Sequence, residues 1–150
     1  MRNVAELMTK EVITVPPTMT VREVANLLFK LKISGLPVVD EEEHVIGMIT
    51  EKDIINMALP KYIEQVGDFA YLLDTEPFKQ KVAEAHTVLV QDIMRKEVTT
   101  VTEDTPVPEC ARIMITKKIR RLPVVHDKKL VGIIARADIV KEIARQTGII

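Results

Sequence analysis

Apolar positions along this chain follow a helix rhythm and a strand rhythm in turn, and the same succession of rhythms is written twice. Val21, Val24, Ala25 and Leu28 stand at i, i+3, i+4 and i+7, the spacing that places an apolar stripe on one face of a helix. Val107, Cys110, Ala111 and Met114 repeat that spacing. Val12 to Val15 and Val98 to Val101 are β-branched throughout and predict short strands. The runs LPVV (36–39) and VIGMI (45–49) return as LPVV (122–125) and LVGII (130–134). They are too short for helices and lie between turn signals, so they predict buried strands joined by a charged loop. The stretches TEKDIINMAL and ARADIVKEIA predict a closing helix, and VAELM and VQDIM a short lead-in turn or helix. Thr20 with Glu23 three residues on predicts a capping box. In the second copy Thr105 is expected to cap, with Pro106 at the first helical position.

The repetition is close. Val4 to Val39 aligns without a gap on Val90 to Val125, 86 residues later, and Val4, Met8, Lys10, Glu11, Val12, Thr14, Val15 and Val21 recur unchanged. So do Glu23, Ala25, Lys32, Ile33, Leu36, Pro37, Val38 and Val39. Beyond a loop one residue shorter in the second copy, Gly47, Ile49, Asp53 and Ile54 recur as well. Two copies are too few for an open solenoid. The expected fold class is α/β: two β-α-β-β-α repeats, over 1–59 and 90–150, packed with pseudo-two-fold symmetry and sharing a core, with a helical connector over 60–89. The connector holds Tyr62, Phe69, Tyr71 and Phe78, with Phe29 the only aromatic residue elsewhere. It reads either as packing on the core or a second subunit, or as a lid over a pocket.

Composition narrows the function classes. At 150 residues the chain suits one ordinary domain or two very small ones. A net charge of -1 disfavours a broad basic face for nucleic acid. Cys110 is the single cysteine, which rules out an internal disulfide and suits a reducing compartment. It lies on an apolar helix stripe and reads as a small buried hydrophobe. No run approaches the roughly 20 apolar residues of a membrane span, and the N-terminus lacks a signal-peptide pattern. A soluble, cytoplasmic protein is expected. No phosphate-binding GxxxxGK[ST] loop is present. His44, His86 and His126 lack metal-site spacing, so no metal is expected. No acid/base pair or nucleophile is placed, so no enzyme is expected.

The unit consists of a DIM-like lead-in, K-E-V-x-T-V, an amphipathic helix, I-x-x-L-P-V-V, and then G-h-h-x-x-x-D-I with h apolar. It resembles a cystathionine-β-synthase-type (CBS) domain. Two in tandem resemble a CBS pair, or Bateman module, over nearly the whole chain except the connector. The resemblance implies an α/β pair with two clefts between repeats and regulatory binding of adenine nucleotides (AMP, ADP, ATP) or S-adenosylmethionine, with no required cofactor. Many such pairs form dimers, so a homodimer is expected, and because the sequence shows no effector domain the readout is expected in an effector protein or in assembly. A ligand-free CBS pair acting as a dimerising scaffold is the alternative. Nucleic-acid binding through the run KKIRR is a third reading.

On this resemblance Thr50 and Asp53 match a hydroxyl-x-x-Asp motif. A carboxylate accepts two hydrogen bonds from a ribose diol, and a helix start with a hydroxyl beside it offers donors to phosphate. The same pair also suits a helix cap. Asp138 repeats the acid while Ala135 drops the hydroxyl, and Arg136 is either a substitute phosphate contact or a solvated residue. Arg120 and Arg121 stand where the first copy has Ser34 and Gly35. The resemblance implies that they face phosphate, and a helix end with favourable cations is the plainer reading. If one cleft holds the phosphate ligand, it is the one with Arg120 or Arg121. Thr14, Thr99 and Thr100 are candidates for the adenine ring or simple strand formers. Pro37 and Pro123 are expected to shape the cleft, and Val38 and Val124 to be core. Glu41 to Glu43 reads as a solvated hairpin tip.

Overall fold

The computed structural model describes residues 2–58, 83 and 87–148. The lead-ins are single helical turns, α1 (Val4–Leu7) and, in the second copy, α4 (Val90–Ile93). The amphipathic stripes become α2 (Val21–Leu31) and α5 (Val107–Lys117). The paired runs become β1 (Gly35–Val39) with β2 (Val45–Thr50), and β4 (Arg121–His126) antiparallel to β5 (Lys129–Ala135). The closing helices are α3 (Glu51–Ala58) and α6 (Arg136–Gln146).

Two local expectations change. The predicted strand Val12 to Val15 is reduced to one parallel bridge, Val15 with Val38, and Val98 to Val101 to the short strand β3 (Val101–Thr102) beside β4. Pro16 follows Val15 and has no N–H to continue the ladder. Thr20 does form the full capping box with Glu23, but Thr105 does not cap α5. The residue its hydroxyl would serve, Pro108, lacks an N–H. Thr105 Oγ1 instead accepts from the Thr102 amide at 3.0 Å, and the helix starts after Pro106. The connector expected over 60–89, with Tyr62, Phe69, Tyr71 and Phe78, lies outside the described residues except at 83 and 87–89.

The described residues of Met1–Ile13, Glu41–Val45 and Val98–Ile150 form one compact unit, and those of Thr14–Asp40 and Ile46–Glu97 another. Each unit has its own apolar core. The first is built on Val101, Val107, Cys110, Met114, Leu122, Val124, Ile134 and Ile139. The second is built on Val15, Val24, Leu28, Leu36, Val38 and Ile49. Each core is completed by the lead-in of the other copy. Val4 is fully buried in the former and Val90 in the latter. The backbone repeats the exchange. Thr9 and Ile133 bond amide to carbonyl both ways at 2.8 and 2.9 Å, and Met48 and Arg95 both ways at 2.9 Å. Gly132 admits the thioether of Met8, and Gly47 that of Met94. A Cβ at either glycine would lie well inside contact distance of the sulfur and 3.0 Å from a backbone carbonyl. The acidic tip joins the first unit through the Leu130 amide, which bonds the Glu43 carbonyl at 3.1 Å, while the Glu41 to Glu43 side chains stay exposed.

One polar group sits inside the first unit. Glu142 is 2 % exposed. Its Oε1 accepts from the Arg2 amide at 3.1 Å, Arg145 at 2.6 Å and Gln146 at 3.0 Å, and its Oε2 from Arg145 Nε at 3.1 Å. These bonds, that from Arg145 foremost, hold its carboxyl down to about 2. The first copy has Met57 at this position. Helices α2 and α5 both end on a lysine in the left-handed region, Lys32 at φ 55° and Lys118 at φ 56°. A residue with a Cβ is strained there.

Because the folded carboxyl of Glu142 titrates below its unfolded value, its contribution to stability is complete above about pH 4.5 and is lost as pH falls towards about 2. Glu142→Gln should lower the urea midpoint at neutral pH and flatten the acid-side loss of stability. An unchanged slope between those pH values would contradict this role. Lys118→Gly should raise stability by about 1 kcal/mol, read by thermal unfolding. A lower midpoint would show that the lysine side chain matters more than the turn.

Candidate functional site

In the second unit the site residues collect where β2 turns into α3. Asp53 sits in the first turn of α3, and its Oδ2 accepts from the Thr50 amide at 2.9 Å and from the Thr50 hydroxyl at 3.0 Å. The acid therefore caps the helix start and also fixes the hydroxyl. Among the described residues no bond reaches its other oxygen, Oδ1, and the residue is half-buried. The Ser34 carbonyl accepts from the Glu51 amide at 2.9 Å, which brings the start of β1 beside the start of α3. Gly35 is buried against Thr50. Pro37 is fully buried, its carbonyl accepting from the Val15 amide at 3.1 Å, and Thr14, the next residue back, is half-buried.

The first unit rebuilds this corner with different side chains. Asp138 Oδ2 accepts from the Ala135 amide at 2.8 Å, and again no bond reaches Oδ1 among the described residues. The acid thus keeps a capping role even where the hydroxyl is missing, so its recurrence alone does not separate a cap from a ribose contact. The Arg120 carbonyl accepts from the Arg136 amide at 3.0 Å, the counterpart of the Ser34–Glu51 bond. Arg120 and Arg136 are exposed and form no ion pair among the described residues. Arg121 is half-buried and pairs across the ladder with Ala135. Pro123 is buried opposite Ile133.

Sequence reasoning did not connect Lys117 with Thr99, yet Lys117 Nζ donates to the Thr99 hydroxyl at 3.2 Å. The strand order supplies the reason. β3, just after Thr99, lies parallel to β4, which α5 feeds, so the end of α5 returns beside the strand entry. The basic run KKIRR therefore contributes a third cation near the corner. Thr100 is exposed. Val38 and Val124 are fully buried core, as their pattern implied. His126 is exposed, 3.5 Å from Asp127. Cys110 is buried, which pushes its thiol pKa up, so it is a poor nucleophile. Among the described residues no three His, Cys, Asp or Glu side chains gather as a metal site, and no helix is long and apolar enough to cross a membrane.

Comparison with known proteins places this geometry. The CBS domain profile matches twice, over residues 4–59 and 90–145. Inosine-5'-monophosphate dehydrogenase of Methanocaldococcus jannaschii is 35% identical over 91% of this chain, but the match spans only 22% of that protein. The chloroplastic CBS domain-containing protein CBSX1 of Arabidopsis thaliana is 32% identical over 92% of this chain and 62% of its own length. Among solved structures, CBSX2 in complex with AMP superposes with a TM-score of 0.75 at 27% identity, covering 98% of this chain and 99% of that one. The CBS domain pair of protein MJ0100, in complex with 5'-methylthioadenosine and S-adenosyl-L-methionine, gives 0.70 at 26% identity, covering 97% and 98%. With both repeats matched by the family profile, the chain belongs to the CBS domain family, as a tandem CBS pair.

Proposed function

We propose that this chain is a regulatory module that binds an adenosine ligand at the two corners described above and passes the event on through its conformation or assembly. One observation carries the reading. In each copy a helix-capping aspartate, Asp53 or Asp138, spends one carboxylate oxygen on the fold and keeps the other without a partner among the described residues. An acceptor held rigidly beside a strand end suits a ribose hydroxyl. Solved relatives carrying AMP, or 5'-methylthioadenosine and S-adenosyl-L-methionine, support the choice of ligand class. Ser34, Thr50 and Asp53 form the first half-site, with Thr14 beside it and the buried Gly35 and Pro37 shaping it. Arg120, Arg121, Arg136 and Asp138 form the second, lined by Thr99 and Thr100 and shaped by the buried Pro123. The second is the phosphate-preferring one, since its arginines bring charge that the first lacks. By linkage, the effect on any effector protein equals the ligand's differential affinity for the two states.

The reading includes a homodimer. Phe29 and Ile115 stand at equivalent places on α2 and α5 and are 85% and 74% exposed. Ile55 and Val140, likewise equivalent on α3 and α6, are 54% and 64% exposed. Apolar side chains left out at matching positions of both copies favour a symmetric partner. The same observation is what the scaffold alternative rests on. A reducing compartment such as the cytoplasm is part of the proposal and suits the single buried thiol.

Calorimetry with AMP, ADP, ATP and S-adenosylmethionine tests the ligand. Saturable binding of at least one is expected, and no binding at millimolar concentration would leave the scaffold reading. Asp138→Asn retains an acceptor for the Ala135 amide while removing the charge. It should weaken binding about tenfold, the order expected for a lost charge-assisted bond, with little change in the unfolding midpoint. Unchanged affinity would make Asp138 a cap only. Phe29→Asp with Ile115→Asp should shift sedimentation from dimer to monomer, and an intact dimer would exclude these faces from the interface.

A further inference from the structure

We infer that Thr50 keeps a cation from position 35 of the first half-site by excluding any side chain there, and that Ala135 is what admits Arg121 in the second. The inference rests on the nucleotide-binding reading above and assigns a specificity role to residues 50 and 135. The Thr50 hydroxyl donates to Asp53 Oδ2 at 3.0 Å, and this fixes the rotamer. The γ-methyl is thereby directed over Gly35. A Cβ at position 35 would lie 2.9 Å from Thr50 Cγ2, 3.1 Å from the Ile49 carbonyl and an ordinary 3.5 Å from Thr50 Cβ. The methyl is the chief obstruction, with the carbonyl only tight. Gly35 does not have a positive φ, so the backbone itself does not demand glycine.

The second copy shows the complementary filling. Arg121 pairs directly with Ala135, which has no γ-methyl. Asp138 still accepts from the Ala135 amide at 2.8 Å, so the cap survives the loss of the hydroxyl. Two fillings are therefore compatible with this corner: glycine facing threonine, or arginine facing alanine. Arginine facing a pinned threonine is refused. One side of the choice holds a hydroxyl and an acid, with no cation at position 35. The other holds an acid and a cation, fitted to a nucleoside phosphate. The missing hydroxyl at 135 and the arginine at 121 are then two sides of one steric choice.

The test has two arms on the full chain. In the first, urea unfolding is followed for Gly35→Ala, Thr50→Ala and the double variant. Gly35→Ala alone should lower the midpoint, whereas a glycine-to-alanine change at an unobstructed site would raise it. In the Thr50→Ala background the same change should cost nothing or raise the midpoint. Additive effects would overturn the exclusion. In the second arm, AMP and adenosine are titrated into wild type and into Gly35→Arg with Thr50→Ala. The double variant should favour AMP over adenosine about tenfold more strongly than wild type, and an unchanged ratio would overturn the specificity role. If wild type binds neither compound, the nucleotide reading falls. The urea arm needs no ligand and still upholds or overturns the exclusion.

Discussion

Exchange of the lead-in segments is the constraint on which the rest of this structure depends. Val4 closes the core that holds Leu122, Val124 and Ile134, and Val90 closes the one that holds Leu36, Val38 and Ile49. A repeat of this size buries too little surface to be secure alone. Here each repeat also lacks, in its own unit, the valine and the edge segment that its own sequence encodes. Stability therefore belongs to the pair. The methionine-on-glycine contacts, Met8 over Gly132 and Met94 over Gly47, mark how close the exchanged segments must approach.

Within that shared frame the two corners have diverged while preserving the same backbone bonds. The Ser34–Glu51 and Arg120–Arg136 contacts are the same peptide-to-peptide link, and each aspartate holds the amide three residues before it. What differs is side-chain volume and charge. A fold that satisfies its helix starts with backbone and aspartate alone leaves the neighbouring positions available for recognition. The second corner brings in Arg120, Arg136 and the Thr99-bound Lys117, where the aligned positions of the first copy hold Ser34, Glu51 and Leu31.

Much of this was legible in the sequence because it was written twice. The element order, the core valines and the position of both aspartates followed from aligning the copies. The exchange was not legible, since an apolar lead-in shows that Val4 is buried but not in which core. Local chemistry misled at Thr105, where a good capping residue faced Pro108, a residue with nothing to donate. The fixed rotamer of Thr50 was also out of reach. Its hydroxyl was read either as a donor to phosphate or as part of a helix cap, and the bond to Asp53 has the geometry of the second. Glu142 had a signal that went unused. It replaces Met57 at a core-facing position of an otherwise apolar stripe, and a charge there needs partners. The partner at the other end of the chain, the Arg2 amide, could be known only from the fold.

The bond from Arg2 to Glu142 closes over 140 residues. During synthesis Arg2 is made long before its partner, so its segment is among the last to find its place. Residues 14–58 and 87–97 can gather around Val90 while the strands that receive Val4 are still being made. The opening segment must wait, with Val4, Leu7 and Met8 unburied, until α6 emerges. A buried glutamate at the far end of the chain then does more than neutralise a guanidinium. It also fastens the segment that holds Arg2, and it can do so only once α6 has been made.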